Sequence, residues 1–564
     1  MLKAILISTF FSSTIFQLSF GQSKGFLVTT DKVFLDAHAA PYNAAKPGDT
    51  LYILAGNRNY LLISNFQGNP DKPIVIINKG GQVTIDTDHY YGISIQNCRY
   101  IKFTGSGSTD NFYGFKILRV ANGAGLGIGD LSSDFEIDHV SISNCKIAGL
   151  YAKTDPDCTG NTVRGIFTQY NTNIHDNYIS DVSDEGLYVG SSKYLGQNVT
   201  CNGSSVLLMP SLLDGVRVYN NIIVRPGWDG IQVSSASNNC QIYGNTVLYD
   251  SQDGTDSQAS GILIGGGSKC DCFNNYIAYG KGDGIESLGL GGYKIYNNVI
   301  VDQGLSFFPD DKTKMTHGIF VSDNSVIQDS SFYIMHNDII NPKSDGIRFS
   351  SLKSKGSIIA SNVIINPGNF DYYENGGTSF HGVDSYVMLQ EPGAKLTIKN
   401  NYFNRNITTA GFDGTDTQSA NYFKLKWSSP LIDMAATDPL VAVKFDFLHN
   451  PRPYGTKSDI GAFELDAATF VDQSGNGFYR QGKLLKNPVS DVLQISITTD
   501  NEEDLNLQIF NIQGVLVSQP IQSNVLVGNN MIEANVSNLS TGVYFYLIHS
   551  KKYISSGKFL IFKK

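Results

Sequence analysis

Apolar residues in this chain recur in a short phrase and show no helical spacing. The phrase is a polar residue, Gly, an aliphatic residue, a variable one and usually another apolar one. It reads Glu185-Gly186-Leu187-Tyr188-Val189, Asp229-Gly230-Ile231-Gln232-Val233 and Ser260-Gly261-Ile262-Leu263-Ile264. It continues as Asp283-Gly284-Ile285-Glu286-Ser287, His317-Gly318-Ile319-Phe320-Val321 and Asp345-Gly346-Ile347-Arg348-Phe349. A second phrase runs out of step with it, as in Tyr219-Asn220-Asn221-Ile222-Ile223 and Phe273-Asn274-Asn275-Tyr276-Ile277. Segments this short cannot each bury a core, so they must stack on one another.

The second phrase returns at Asn221, Asn245, Asn275 and Asn298, in steps of 24, 30 and 23 residues. The shortest step leaves no room for a helix-containing repeat. It fits one turn of a parallel β-helix, three short strands joined by turns. The longer steps from Asn177 to Asn221 and from Asn298 to Asn337 predict loops inserted on one face, where solenoids commonly bind ligands. The repeated Asn is expected in a left-handed turn conformation, with its side chains forming an internal ladder.

Weaker rungs stand at Tyr91-Gly92-Ile93, Tyr113-Gly114-Phe115 and Ala148-Gly149-Leu150. The stretch from Lys46-Pro47-Gly48-Asp49 through Pro73-Ile74-Val75-Ile76-Ile77 to Val83-Thr84-Ile85 resembles the opening turns of right-handed parallel β-helix proteins of the pectin-lyase-like superfamily. Ser429-Pro430-Leu431-Ile432-Asp433, Pro451-Arg452-Pro453 and Asp459-Ile460-Gly461-Ala462-Phe463-Glu464 resemble the closing segment of many secreted bacterial members. Arg452 and Asp459 read there as a structural ion pair or turn anchors.

Beyond residue 484 the pattern changes to alternating strands such as Val492-Leu493-Gln494-Ile495-Ser496-Ile497 and Val543-Tyr544-Phe545-Tyr546-Leu547-Ile548. They predict a small antiparallel β-sandwich. Asn487-Pro488-Val489-Ser490-Asp491, Asn511-Ile512-Gln513-Gly514 and Leu539-Ser540-Thr541-Gly542-Val543-Tyr544-Phe545 resemble the type A C-terminal sorting domain of the Bacteroidetes type IX secretion system. That resemblance implies export across the outer membrane by that machinery. A carbohydrate-binding sandwich is the alternative.

The expected fold class is therefore all-β: a right-handed parallel β-helix with three sheets, then a small antiparallel sandwich. The expected organisation is a secretory signal over 1–21, a β-helix over 22–465, a linker over 466–483 and the sorting domain over 484–564. The signal rests on Lys3, an apolar run to Phe20, and small residues at Ser19 and Gly21. No later segment is long and apolar enough to span a bilayer as a helix.

Composition agrees with this picture. Charged residues make up 16% of the chain, while there are 57 Gly, 30 Tyr and 32 Phe, which suits short strands and tight turns. The net charge of −9 excludes a general nucleic-acid binder. Seven Cys leave at least one unpaired within the chain. Cys158 and Cys201 lie in insertions they could clasp together, and Cys240 and Cys270 hold matching places on successive turns.

Read with the residue before Gly facing outward, the first ladder is Glu185, Asp229, Ser260, Asp283, His317 and Asp345, with His381 as its continuation. The second ladder, two residues after Gly, is Tyr188, Gln232, Leu263, Glu286, Phe320 and Arg348. Rungs are about 4.8 Å apart, so stacked carboxylates repel and one of them is raised into a proton donor. This reading makes Glu185, Asp229, Asp283, His317 and Asp345 the catalytic candidates. Tyr188, Trp228, Glu286, Arg348 and Lys153 become the substrate-binding candidates, with Tyr194 a further ring to stack on sugars.

Many secreted bacterial β-helix proteins resemble this chain and act on polysaccharides. The order Asp229-Gly230, Asp283-Gly284, His317-Gly318 and Arg348 resembles the pectin-hydrolase family, although that family's tandem Asp is missing at Asp283. The resemblance implies a polysaccharide partner, and the acid-rich face favours hydrolysis slightly over lyase elimination. Elimination would call on Lys153, Arg348 or Tyr188 as base and on Ca²⁺ to neutralise a uronate. Asp253-Gly254-Thr255-Asp256 and Asp310-Asp311 are the candidate Ca²⁺ loops. A non-catalytic glycan-binding or surface protein is the alternative from another class.

Overall fold

The computed structural model describes residues 23–255, 257–371, 382–390, 393–414, 423–465, 478–479, 483–499, 502–511, 516–518, 521–549 and 553–563. The expected signal over 1–21, His381, Asp256 and most of the expected linker lie outside these residues.

The chain winds into a right-handed parallel β-helix whose turns each contribute three strands. The first face stacks Leu150–Ala152, Leu187–Val189, Ile231–Val233, Ser260–Ile264, Asp283–Ser287, Ile319–Ser322, Ile347–Ser350 and Val387–Leu389 in parallel. We call this the glycine face. The second, or aromatic, face runs through Ser133–Asp138, Thr168–His175, Leu212–Tyr219, Ala236–Tyr243, Cys270–Phe273, Tyr293–Tyr296 and Phe332–Met335. The third face runs through Tyr178–Ser180, Ile222–Val224, Thr246–Leu248, Tyr276–Ala278, Val299–Val301, Asp338–Ile340 and Val363–Ile365.

The glycine phrase exists because the corner leading into the first face is crowded. A Cβ on Gly186 would lie 2.5 Å from Ile223 Cγ2 and 2.6 Å from the Gly230 carbonyl oxygen. The same clash recurs at Gly284, 2.6 Å from Ile300 Cγ2 and 2.5 Å from the Gly318 oxygen. Neither glycine has a positive φ, so it is close packing that excludes a side chain there.

The asparagine ladder is internal, as expected. Asn177, Asn221, Asn245, Asn275, Asn298, Asn337 and Asn362 are all fully buried or nearly so. Each side-chain amide donates to the side-chain oxygen of the Asn one turn on, for example Asn275 Nδ2 to Asn298 Oδ1 at 3.0 Å. The left-handed conformation falls one residue earlier than expected, at Asn220, Gly244, Asn274 and Asn297. That residue turns the corner, which leaves the ladder Asn free to aim its amide along the helix axis.

The third face is covered. Its outward apolar residues, among them Ile222, Val224, Leu248, Val299, Val301, Ile340 and Val363, pack against Phe412, Phe423, Leu431, Ile460, Ala462 and Phe463 of the closing segment. Arg452 anchors this segment through Glu464 Oε1 at 2.7 Å, with both side chains fully buried. Asp459 is a turn anchor and accepts the Asp433 and Leu465 amides, so the ion pair forms with Glu464 and not with Asp459. Disulfides join Cys158 to Cys201 and Cys240 to Cys270, while Cys98, Cys145 and Cys272 are buried thiols.

The C-terminal residues form two small sheets around a core of Leu493, Ile495, Leu505, Leu507, Ile509, Tyr546, Ile548 and Phe559. Val492–Thr499 pairs antiparallel with Gly528–Asn535, and Gly542–His549 pairs antiparallel with both Glu503–Asn511 and Tyr553–Ile561.

Candidate functional site

The glycine face differs from the covered third face in its outward residues. In register along it stand Tyr151, Tyr188, Gln232, Leu263, Glu286, Phe320, Arg348 and Met388. Segments 153–167 and 190–211 insert along one border, and 249–255, 302–318, 366–371 and 382–386 lie along the other. The first pair is tied by the Cys158–Cys201 disulfide and by Arg164, whose Nη2 donates to the Tyr194 carbonyl at 2.6 Å. The face is thus bordered by loops on both sides, an arrangement called the cleft below, and its outward ladder is the one expected two residues after each Gly.

The other ladder does not face solvent. Glu185 is 3% exposed, Asp229 and Asp345 are fully buried, His317 is 3% exposed and Asp283 is half-buried. The physical reason is parity. The residue before Gly stands two before a core aliphatic residue, and strand alternation sends both to the same side. These side chains instead bind the next rung. Asp229 Oδ1 accepts the Ser260 amide at 2.8 Å and its hydroxyl at 2.6 Å, and Asp283 Oδ1 accepts the His317 amide. In the place expected for His381, Ser385 donates its hydroxyl to Asp345 Oδ1 at 3.1 Å.

Burial, reinforced by Glu286 and Glu185, holds the Asp229 carboxyl well above the usual range. Burial, opposed by the backbone and added to by Asp184, lifts Glu185 to about 7. Both side chains are shielded from solvent.

Asp283 and Glu286 form the centre. Burial lifts Asp283 to about 7, held back by the His317 amide and by Arg348. Burial and the adjacent Asp283 lift Glu286 to about 8. Glu286 has no hydrogen-bond or ion-pair partner among the described residues, whereas Asp283 has a donor. Ionisation within the pair is therefore favoured at Asp283, which has the donor, over Glu286, which has none.

His317 does not assist as a charged group. Burial lowers its pKa, against the pull of Asp345. Its Nδ1 lies 3.1 Å from Asp345 Oδ2 and its Nε2 lies 3.2 Å from Arg348 Nη1. This network assigns a neutral ring that donates to Asp345 and accepts from Arg348. Arg348 also donates through Nη2 to Gln390 Oε1 at 2.8 Å and lies 5.5 Å from the Phe320 ring centre. His317 and Asp345 are thus supports that fix Arg348 on the cleft floor.

At the other end Tyr151 and Tyr188 meet edge to face at 5.6 Å, and Lys153 Nζ lies 4.8 Å from the Tyr188 ring centre. Lys153 pairs with Asp155 at 3.0 Å and so is a cation there. The Tyr188 hydroxyl donates to Ser192 Oγ at 2.8 Å. Gln232 is buried between these groups and Glu286, and its Oε1 has no hydrogen-bond partner. Trp228 is half-buried in the turn before Ile231–Val233, where its amide donates to the Asp184 carbonyl.

A second polar cluster, missed in the sequence, lies outside this cleft on the aromatic face. Glu136, Asp138 and His175 place ligand atoms within 4.8 Å of one another and are the one such group of three among the described residues. The signal was the alternation in Glu136-Ile137-Asp138 beside Asn173-Ile174-His175, outside the glycine phrase. Neither candidate Ca²⁺ loop belongs to it; Asp311 Oδ1 instead accepts the Thr313 amide and hydroxyl of its own turn.

Residues 486–562 match the family described as secretion system C-terminal sorting domain, and residues 127–314 match periplasmic copper-binding protein (NosD). No curated protein sequence matches the chain. Among solved structures the chain is similar to pectate lyase Pel9A, at 13% identity and a TM-score of 0.36, over 79% of this chain and 97% of that one. It is also similar to XylC in complex with xylose, at 10% identity and a TM-score of 0.34, over 87% and 95%. A PL6 family polysaccharide lyase from Pseudopedobacter saltans matches at 14% identity and a TM-score of 0.24, over 67% and 92%. Among the described residues no helix is long and apolar enough to cross a membrane. The chain is a parallel β-helix repeat protein that ends in a type IX secretion sorting domain, which directs it to the cell surface or beyond.

Proposed function

We propose that the glycine-face cleft binds a polysaccharide and hydrolyses its glycosidic bonds. The observation that carries this reading is the pairing of Glu286, outward and without a partner, with Asp283, held by a backbone donor. One carboxyl that keeps its proton near pH 7 beside one that gives it up is the requirement for protonating a leaving oxygen while activating a nucleophile. Glu286 is the proton donor and Asp283 the ionised partner. Tyr151 and Tyr188 offer ring surface to sugars, Lys153 and Arg348 offer donors to their hydroxyl or acidic groups, and the loop walls hold the chain in line.

Hydrolysis is favoured over elimination on the charge of the floor. Elimination needs a basic group free of partners, and Lys153 is ion-paired to Asp155 while Arg348 is tied to His317 and Gln390. Ca²⁺ has no assembled ligand set in this cleft among the described residues.

The test is a panel of plant, algal and host polysaccharides, assayed with and without Ca²⁺ for new reducing ends and for ultraviolet absorbance. Reducing ends without absorbance support the reading. An absorbing unsaturated product overturns hydrolysis in favour of elimination. Thermal stabilisation by a glycan with neither product would assign binding alone.

A further inference from the structure

The aromatic face carries a second constellation that the cleft does not use. His175 is buried at the head of a stack of parallel rings, 4.5 Å from the Tyr219 ring centre and tilted 15° from it. Its Nδ1 lies 2.7 Å from Asp176 Oδ2, which leaves Nε2 aimed the other way. There it meets Glu136 Oε1 at 3.2 Å and Asp138 Oδ2 at 4.0 Å.

Asp138 is 1% exposed. Its Oδ1 takes hydrogen bonds from Thr104 Oγ1 and from the ring of His139. Its Oδ2 takes none and points at the same spot as His175 Nε2. One oxygen is clamped by supports and the other is presented. Lys102 Nζ also reaches that spot, 2.5 Å from Glu136 Oε1 and 3.3 Å from Asp138 Oδ2, on a side chain 36% exposed.

We propose that Glu136, Asp138 and His175 form a site for a divalent transition ion such as Zn²⁺ or Mn²⁺, with Lys102 as the ammonium that the ion displaces. Bonds of about 2.1 Å from one ion put adjacent ligand atoms roughly 3–4 Å apart, which is how far His175 Nε2 lies from Glu136 Oε1 and Asp138 Oδ2. One imidazole and two carboxylates suit a borderline ion better than Ca²⁺, which takes six to eight oxygens. An imidazole whose far nitrogen is held by a carboxylate, as His175 is by Asp176, is the usual arrangement behind a metal-bound histidine. The stack of Tyr219, Tyr243, Phe273 and Tyr296, with centres 4.8 to 4.9 Å apart, fixes the ring plane from behind.

The experiment is calorimetric titration of the chelator-treated full chain at pH 7.5 with ZnCl₂, MnCl₂ and CaCl₂. The expected result is one Zn²⁺ or Mn²⁺ per chain and far weaker Ca²⁺ binding. Asp138→Asn and His175→Gln should weaken uptake by at least about tenfold, and Asp176→Asn by roughly tenfold. Lys102→Met should tighten uptake, whereas a purely structural ion network would only lose stability in that variant. Absence of uptake in both the wild type and Lys102→Met, or uptake unchanged by His175→Gln and Asp138→Asn, would overturn the site. Lys102→Met and Asp138→Asn decide the matter if His175→Gln does not fold.

Discussion

Asp283 and Glu286 share one strand of the cleft floor but have opposite surroundings: the Asp283 carboxylate accepts the His317 amide, and the Glu286 carboxyl has no partner among the described residues. Two acids that would titrate together in water are thereby separated into an ionised and a protonated member. Their sequence spacing alone, Asp-Gly-Ile-Glu, would not show this, because the difference comes from the backbone of the next rung.

The pH dependence of turnover should follow from this pair. Activity needs Glu286 protonated and Asp283 ionised, and the two are placed at about 8 and about 7. A narrow bell centred between pH 7 and 8 is expected from kcat/KM measured across pH 5 to 10. A profile that keeps rising above pH 9 would exclude Glu286 as the acid.

Stability should carry the same signature. Glu286 has a folded pKa above its value in an unfolded chain, so the folded state binds the extra proton between the two. Its contribution is then present below the unfolded value and is lost as pH rises through about 8. Glu286→Gln should match the wild type in urea midpoint near pH 5 and exceed it near pH 9. Parallel curves for the two proteins would show that Glu286 is an ordinary exposed acid.

The asparagine ladder should be a main support of the coil. Asn275 accepts the Asn245 amide and side chain, each at 3.0 Å, and donates to Ile242 O and Asn298 Oδ1 at 3.0 Å each. Asn275→Ala leaves the buried Asn245 amide unpaired and should cost about 3 kcal/mol. The measure is a drop in denaturant midpoint at constant m.

Removing Arg452 should be costly in a way that removing its partner as well relieves. Arg452→Met leaves Glu464 buried without its cation, an expected loss of about 4 kcal/mol. The double variant Arg452→Met, Glu464→Met should recover much of it. Additive losses would mean that the Gly461 and Asp459 carbonyl contacts of Arg452 dominate.

The coil, its rung order and the outward ladder from Tyr188 to Arg348 were legible in the sequence, because a two-residue alternation anchored on Leu187, Ile231 and Ile285 leaves one choice of face. The ladder before each Gly was misread, because parity carries Asp229 and Asp345 inward and the corner packing that demands Gly is not visible along the chain. The role of His317 was misread for the same reason: its neutral state depends on Asp345 and Arg348 one rung on. The cluster of Glu136, Asp138 and His175 was missed because its members belong to the aromatic face, where no repeated phrase marks them.

The most direct test compares Glu286→Gln with Asp229→Asn on whichever polysaccharide the wild type cleaves, following reducing ends at pH 7.5. The account predicts that Glu286→Gln loses at least about 10²-fold in kcat, as removal of a general acid does, while Asp229→Asn, buried and bonded to Ser260, keeps most of its rate. Full activity in Glu286→Gln, or loss confined to a well-folded Asp229→Asn, would contradict it.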